Sequence, residues 1–310
     1  MPDAASAAAA AERQWHAAIT PLTLRQLRIA LDALAASCFA ADRDLPRVAA
    51  IDVAADRVTL HLLEDEQDPA VPFTQSTSPR VWSAPTTSLA TIEPVETRGA
   101  PEPYPALVTI GHTETSTLLL NLEAAGTLRV VGDPEAAAGT LRALVAELAT
   151  SELSGRIGLT GGAQFAGLAR ACSTTRIQAS ESPLAASQLN DRLQSARDSL
   201  AADGLDDTLQ ARSDRQSPDL WLPVVDVDEV PGPARCGPWS GSILLTDRDG
   251  SGGWRLDVGP DGRARVDDLG LELGRFTTHR GWPGDHHRTA KSRNTRPSRG
   301  TSGPARARTP

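Results

Sequence analysis

Apolar positions recur along the chain with two different periods, and each change of period marks a new element. Leu24, Leu27, Leu31 and Leu34 fall at three- and four-residue spacing, which places them on one stripe of a helix that must be buried. Thr20 is suited to cap that helix and Pro21 to its first turn, so a helix is expected from there to about Cys38. Val48 to Val53 and Arg57 to Leu63 read as two strands joined by Ala54-Ala55-Asp56, a hairpin. Glu64 to Pro105 carries many prolines and few periodic apolar positions. It reads as a long surface connection with a short strand around Val81-Trp82, and as the first expected boundary. Ala106 to Ile110 and Thr117 to Leu122 then read as strands around the turn Gly111-His112-Thr113-Glu114.

Beyond this point strands alternate with helices. Leu128-Arg129-Val130-Val131 is a short apolar strand, Gly132-Asp133-Pro134 a turn, and Ala136 to Thr150 a helix with Leu141, Leu144, Val145 and Leu148 on one face. Arg156 to Leu159 is expected as a strand, Phe165 to Ala171 as a short helix and Pro183 to Ala202 as a longer one, an alternation that implies parallel β-α units. The run Leu220 to Val225 reads as a further strand, kept to an edge or bulge by Pro223. Ser242 to Thr246, Trp254 to Val258 and Arg263 to Val266 are short β segments between Gly- and Asp-rich turns, expected to form a small antiparallel element. From Gly274 onward there is no apolar periodicity, and the tail is expected to be disordered.

The fold class expected is therefore α/β: a degenerate P-loop-like parallel sheet with flanking helices, small antiparallel β elements and a disordered C-terminal tail. The divisions expected are a disordered leader at 1–19, a helix and hairpin region at 20–104, the α/β domain at 105–230, a small β element at 231–273 and the tail at 274–310.

Composition narrows the function classes. In 310 residues, 40% of them hydrophobic, there is ample material for a core. Cys38, Cys172 and Cys236 are few, odd in number and far apart, which argues against disulfides and a C-x-x-C metal site and suits a reducing cytoplasm. No apolar run approaches the roughly 20 residues that span a bilayer. Residues 274–310 hold nine of the 31 basic residues and one acid, Asp285, leaving 22 basic and 38 acidic residues in the remainder, a net of −16. Nucleic acid is therefore expected to meet the chain only through the 274–310 tail.

One motif carries a mechanism. A strand, a glycine turn and a helix are where a phosphate loop of pattern G-x-x-x-x-G-K-[ST] would lie. Counted from Gly132, the second glycine falls on Ala137, the lysine on Ala138 and the hydroxyl on Gly139. Alanine supplies neither the cation nor the Mg²⁺-binding hydroxyl, and Asp133 and Glu135 bring negative charge to the phosphate position. Gly132, Gly139 and Thr140 remain only weak candidates for cofactor contact; no cofactor, metal site or catalytic residue is expected. Val224-Val225-Asp226-Val227-Asp228-Glu229 matches an apolar strand ending in acids, as at a Mg²⁺-positioning strand, but reads more readily as a solvated strand end. His279, His286 and His287 fall in the cationic tail, Ser240 reads as a turn residue, and Trp15, Trp82, Trp221, Trp239 and Trp254 as packing residues.

The segments Pro105 to Gly111, Leu119 to Gly126, Val131-Gly132-Asp133 and Leu141 to Ala149 recur in order in a known group. On these the chain resembles, over roughly residues 20–270, the cytoplasmic middle region of large actinobacterial membrane proteins that carry a LysM domain and a bacterial transcriptional activator domain. The resemblance implies a degenerate relative of FtsK-type ATPases and no catalytic residue. The chain departs from that group in lacking the membrane helices, the LysM domain and the activator domain, as a truncated or frameshifted gene product would. The expectation is a non-enzymatic interaction or regulatory module with a protein partner. The alternatives are a nucleotide-binding regulator with an altered phosphate loop, or DNA binding through the basic tail.

Overall fold

The computed structural model describes residues 21–92, 102–112, 115–150, 157–161, 177–179, 186–213, 223–227, 236–269 and 271–275. All belong to the unit Met1–Arg280. The expected leader, the helix at Phe165 to Ala171 and nearly all of the basic tail lie outside the described residues.

The first helix, α1 (Pro21–Ala40), follows from its apolar stripe. Leu27, Ala30, Leu31, Leu34 and Cys38 are buried, at spacings that keep them on one face, and Leu24 is half-buried at its start. That face packs on β1 (Val48–Ala54) and β2 (Arg57–Leu62), the expected hairpin. The two pair antiparallel, with Ile51 opposite Leu60. Val58, Leu60 and Leu62 are buried while Arg57, Thr59 and His61 are more exposed, the period of two that a sheet with one covered face requires.

Two-residue β3 (Thr74–Gln75) and β4 (Val81–Pro85) extend this sheet on one side, followed by the single turn of α2 (Thr86–Leu89). On the other side lie β5 (Leu107–His112) and β6 (Ser116–Asn121). The order is β3-β4-β2-β1-β6-β5, and every pairing is antiparallel. Because β1 pairs with β6, Asp52 facing Leu118, strands from both sides of residue 105 share one sheet. Apolar side chains on these strands, rather than the proline-rich stretch, decide which segments share a core.

A second sheet has eight strands. After the single turn α3 (Leu122–Ala125) comes β7 (Thr127–Gly132), followed by α4 (Pro134–Thr150). Ala137, Leu141, Leu144, Val145 and Leu148 form the buried stripe of α4, as the spacing requires. Then come β8 (Gly158–Gly161), β9 (Ile177–Ala179), α5 (Ala186–Ala202), α6 (Thr208–Ser213) and β10 (Val224–Val227). The last four strands are β11 (Ser242–Thr246), β12 (Trp254–Val258), β13 (Arg263–Val266) and β14 (Leu271–Arg275).

The order is β14-β13-β12-β7-β11-β10-β8-β9, parallel from β12 to β9 and antiparallel from β12 to β14. The fold is thus mixed α/β, a parallel sheet with flanking helices beside an antiparallel one. Of the three segments expected as a small antiparallel element, Trp254–Val258 and Arg263–Val266 do pair antiparallel, with Leu256 opposite Val266, but Trp254–Val258 also pairs in parallel with β7 on its other side, and Ser242–Thr246 lies between β7 and β10 with both neighbours parallel. Short apolar runs of five residues do not show which neighbour they will take, and burial on both faces suits all five residues of β11 to a central parallel position.

Candidate functional site

The turn between β7 and α4 was the place to look for phosphate, and its geometry follows from three consecutive residues. Gly132 has φ +111°, a conformation other residues avoid, and a Cβ there would lie 2.3 Å from the carbonyl oxygen of Val258 and 2.7 Å from Asp257 Oδ1. The strand therefore ends pressed against β12. Asp133 N–H donates to the Val258 carbonyl at 2.9 Å, so the turn is hydrogen-bonded to the neighbouring strand. Pro134 then occupies the first helical position, where its lack of an N–H costs nothing.

The helix start is closed by its own sequence. Asp133 Oδ1 accepts from Ala136 N–H at 3.0 Å, and the Asp133 carbonyl accepts from Ala137 N–H at 2.8 Å. A single residue separates strand from helix, where a phosphate loop needs several residues to wrap an anion with N–H groups. The acid that caps the helix also puts negative charge where the phosphate would lie. Gly139 sits inside α4, and Thr140 is fully buried with its hydroxyl unpaired among the described residues. The three weak candidates are therefore not brought together around a cavity. Asp226 is buried on β10, with β11 between it and β7, while Asp228 and Glu229 lie outside the described residues.

Further along α4, Glu147 reaches the edge strand β5. Its two carboxylate oxygens accept from Thr109 N–H at 3.0 Å each, and Oε1 also accepts from the Thr109 hydroxyl at 2.7 Å. This covers an edge that would otherwise be open to pairing. Burial pushes the Glu147 carboxyl up to about 7, against the opposing pull of the Thr109 hydrogen bonds. A raised folded-state value means that the folded protein holds a proton, between about 4.5 and about 7, that the unfolded chain has lost. Stability should therefore fall as pH rises through that window and stay lowered above it. Glu147→Gln should remove this dependence, leaving the variant more stable than wild type by on the order of 1 kcal/mol at pH 8 and equal to it near pH 4.5. Thermal melts across pH test this; a variant uniformly less stable at every pH would contradict it.

A polar junction that the sequence did not reveal joins the two halves of this unit. Arg47 stacks over the Trp239 ring, its Cζ 4.9 Å from the centroid, and pairs with Asp207 at 2.5 Å and Glu64 at 3.3 Å. Asp207 Oδ1 in turn accepts from Gln210 N–H at the start of α6. Thr208 N–H and hydroxyl both donate to the Trp239 carbonyl, and Trp239 N–H donates to the Glu123 carbonyl. Below them Arg212 donates to Glu123 and, at 3.2 Å, to the carbonyl of Pro103; the two charged side chains are 2% and 1% exposed. Burial raises the Glu123 carboxyl while Arg212 and Thr208 pull it back down. Arg47 and Asp207 lie 160 positions apart, and nothing periodic links the residues of this junction.

The remaining candidates are structural. Ser240 Oγ donates to the Ser242 carbonyl, as in a turn. Trp82 and Trp239 are buried and Trp254 packs on the same core, while Trp15 and Trp221 lie outside the described residues. Cys38 and Cys236 are buried, and burial pushes the Cys38 thiol up to about 11; Cys172 and the tail histidines are outside the described residues. Among the described residues no three His, Cys, Asp or Glu side chains cluster to hold a metal, and no helix is long and apolar enough to cross a membrane. A shallow cleft of about 460 Å³ runs along α5, lined by Asp191, Gln194, Ser195, Asp198, Ser199 and Ala202. It is an open polar face of one helix, unlike the enclosed apolar sites that hold small molecules.

No protein-family model matches the chain, and no curated protein matches it. Among solved structures it is similar to the pCW3 conjugation coupling protein TcpA, monomer form with ATPγS, with a TM-score of 0.34 and 10% identity over 77% of this chain and 83% of that one.

Proposed function

We propose that the protein is a non-catalytic interaction or regulatory module, an α/β frame whose turn after β7 is no longer a nucleotide site. The observation that carries this reading is the use of Asp133 as the helix cap, with Gly132 pinned against Val258. The lysine and the hydroxyl of the phosphate pattern are missing, and the Asp133, Ala136 and Ala137 N–H groups are bonded within the chain. The proposal includes a cytoplasmic protein partner and descent from the middle region of the actinobacterial LysM and activator-domain proteins, which the ordered segments from Pro105 to Ala149 suggest.

A thermal melt with and without Mg-ATP tests it. The expected result is one cooperative transition whose midpoint nucleotide does not move. A rise of about 5 °C or more, which corresponds to at least 1 kcal/mol of binding linkage, would favour a nucleotide-binding regulator instead. Binding to duplex DNA that weakens steeply with salt, and is lost without residues 274–310, would favour the reading in which the basic tail contacts phosphates.

A further inference from the structure

The connection between β11 and β12 takes an unusual path. Both strands run parallel to β7 and lie on either side of it. Thr246, the last residue of β11, pairs with Arg129, and Trp254, the first of β12, pairs with Leu128. One strand ends and the other begins at the same height, so residues 247–253 must pass over β7 itself. They do so in a single short span, where parallel strands ordinarily need a dozen or more residues and a helix.

The passage is rich in glycine because the chain lies against the sheet. Gly252 and Gly253 have φ +87° and +70°, and a Cβ on Gly253 would come within 2.4 Å of the Thr127 carbonyl oxygen. Directly under the crossing is Arg129: a Cβ on Gly250 would stand 3.6 Å from its Nε. Arg129 shares its face of the sheet with Thr246 and Arg255, the residues in register with it.

Arg129 is 6% exposed, and among the described residues its guanidinium makes no hydrogen bond and no ion pair. The neighbouring acids are already engaged. Asp249 and Asp257 lie 3.6 and 3.1 Å from the Arg255 guanidinium, and Asp268 accepts from Arg255 N–H at 2.9 Å. Thr246 Oγ1 accepts from Arg248 N–H. A guanidinium with five donors, buried and without a counter-charge, is a state that folded proteins ordinarily avoid by pairing it.

We propose that Arg129 and the glycine crossing form a site for a small oxyanion, a phosphate or carboxylate group. The planar fork of Arg129 matches two oxygens of such a group, and Gly250 leaves open the space beside Nε that any larger residue would fill. Arg255 stands in register beside it, so a bound anion would also draw on the charge that Arg255 now shares with Asp249 and Asp257.

The test uses the full chain in thermal melts at constant ionic strength, with chloride replaced stepwise by inorganic phosphate in one series and by acetate in another. A saturable rise in midpoint is expected in at least one series. Phosphate alone acting assigns the phosphoryl group, and acetate alone the carboxylate. Arg129→Met should abolish the rise. Gly250→Ala, whose backbone is not left-handed and so accepts a side chain, should weaken the apparent affinity by tenfold or more by placing a methyl group against Nε. A midpoint unmoved by both anions, or a rise that persists undiminished in both variants, would overturn the proposal.

Discussion

Arg212→Ala should cost about 3–5 kcal/mol of folding stability, because it removes one member of a buried ion pair and leaves the other behind. Glu123 is 1% exposed, and α3 on which it sits is buried at every position. Without Arg212 its carboxylate must either remain charged in an apolar setting or take up a proton. The loss should therefore be largest at neutral pH and shrink as pH falls and Glu123 is protonated. Replacing both partners with apolar residues, as in Glu123→Leu with Arg212→Met, should recover most of the loss, since the pair's attraction mainly offsets the cost of burying it. Urea midpoints for the two variants at pH 7 and pH 5 measure both effects. A single-variant loss below about 1 kcal/mol would mean that water reaches the pair, as it does for surface bridges.

Gly132→Ala should be nearly as damaging, by about 2–6 kcal/mol, combining a strained backbone with a methyl group forced into a neighbouring strand. The carbonyl it would strike, at 2.3 Å, belongs to the β12 backbone and cannot rotate away. A substitution here thus acts on the fold whether or not any ligand binds nearby. The variant should melt early in the absence of nucleotide, and a wild-type midpoint for Gly132→Ala would show that β7 and β12 are free to separate at this point. A loss of binding on mutating Gly132 would accordingly say nothing by itself about phosphate contact.

Local elements were legible in the sequence wherever a period was strong. The stripe of α1, the β1–β2 hairpin, the two strands β5 and β6 around their turn, and the β7–turn–α4 unit all depend on residues within about one helix length of each other. Three strands near the C-terminal side, Ser242–Thr246, Trp254–Val258 and Arg263–Val266, have the boundaries expected of them. The antiparallel pairing of Trp254–Val258 with Arg263–Val266, across a short turn, was legible too, but the parallel partners of β11 and β12 were not. Pairing β11 and β12 with β7 depends on register between segments more than a hundred positions apart, about which a five-residue apolar run carries no information. The strand expected from Leu220 is described only at Val224–Val227, and its earlier part lies outside the described residues.

The candidate site divides in the same way. That the phosphate pattern after Gly132 is broken could be read directly, because a pattern is a matter of spacing. That Asp133 turns back to cap the helix is also a local effect, since aspartate before proline is a common helix start. The junction of Arg47, Asp207, Trp239, Glu123 and Arg212 was invisible, because these residues come together only through tertiary pairing and no spacing in the sequence links them. Arg129 was hidden in the opposite way, as one charged residue inside an apolar strand, where outward-facing solvent contact is the usual expectation.

The polar junction also sets an order on how this protein can be made. All six strands of the first sheet are synthesised by Asn121, and their backbone hydrogen bonds can form among themselves. Yet the core against which that sheet packs includes Leu209 and Trp239, and its charged contacts await Asp207 and Arg212. During translation the early sheet must wait with part of its apolar surface uncovered, a period in which unpaired surface invites association with other chains. The longer synthesis takes between residues 121 and 239, the longer that surface stays uncovered.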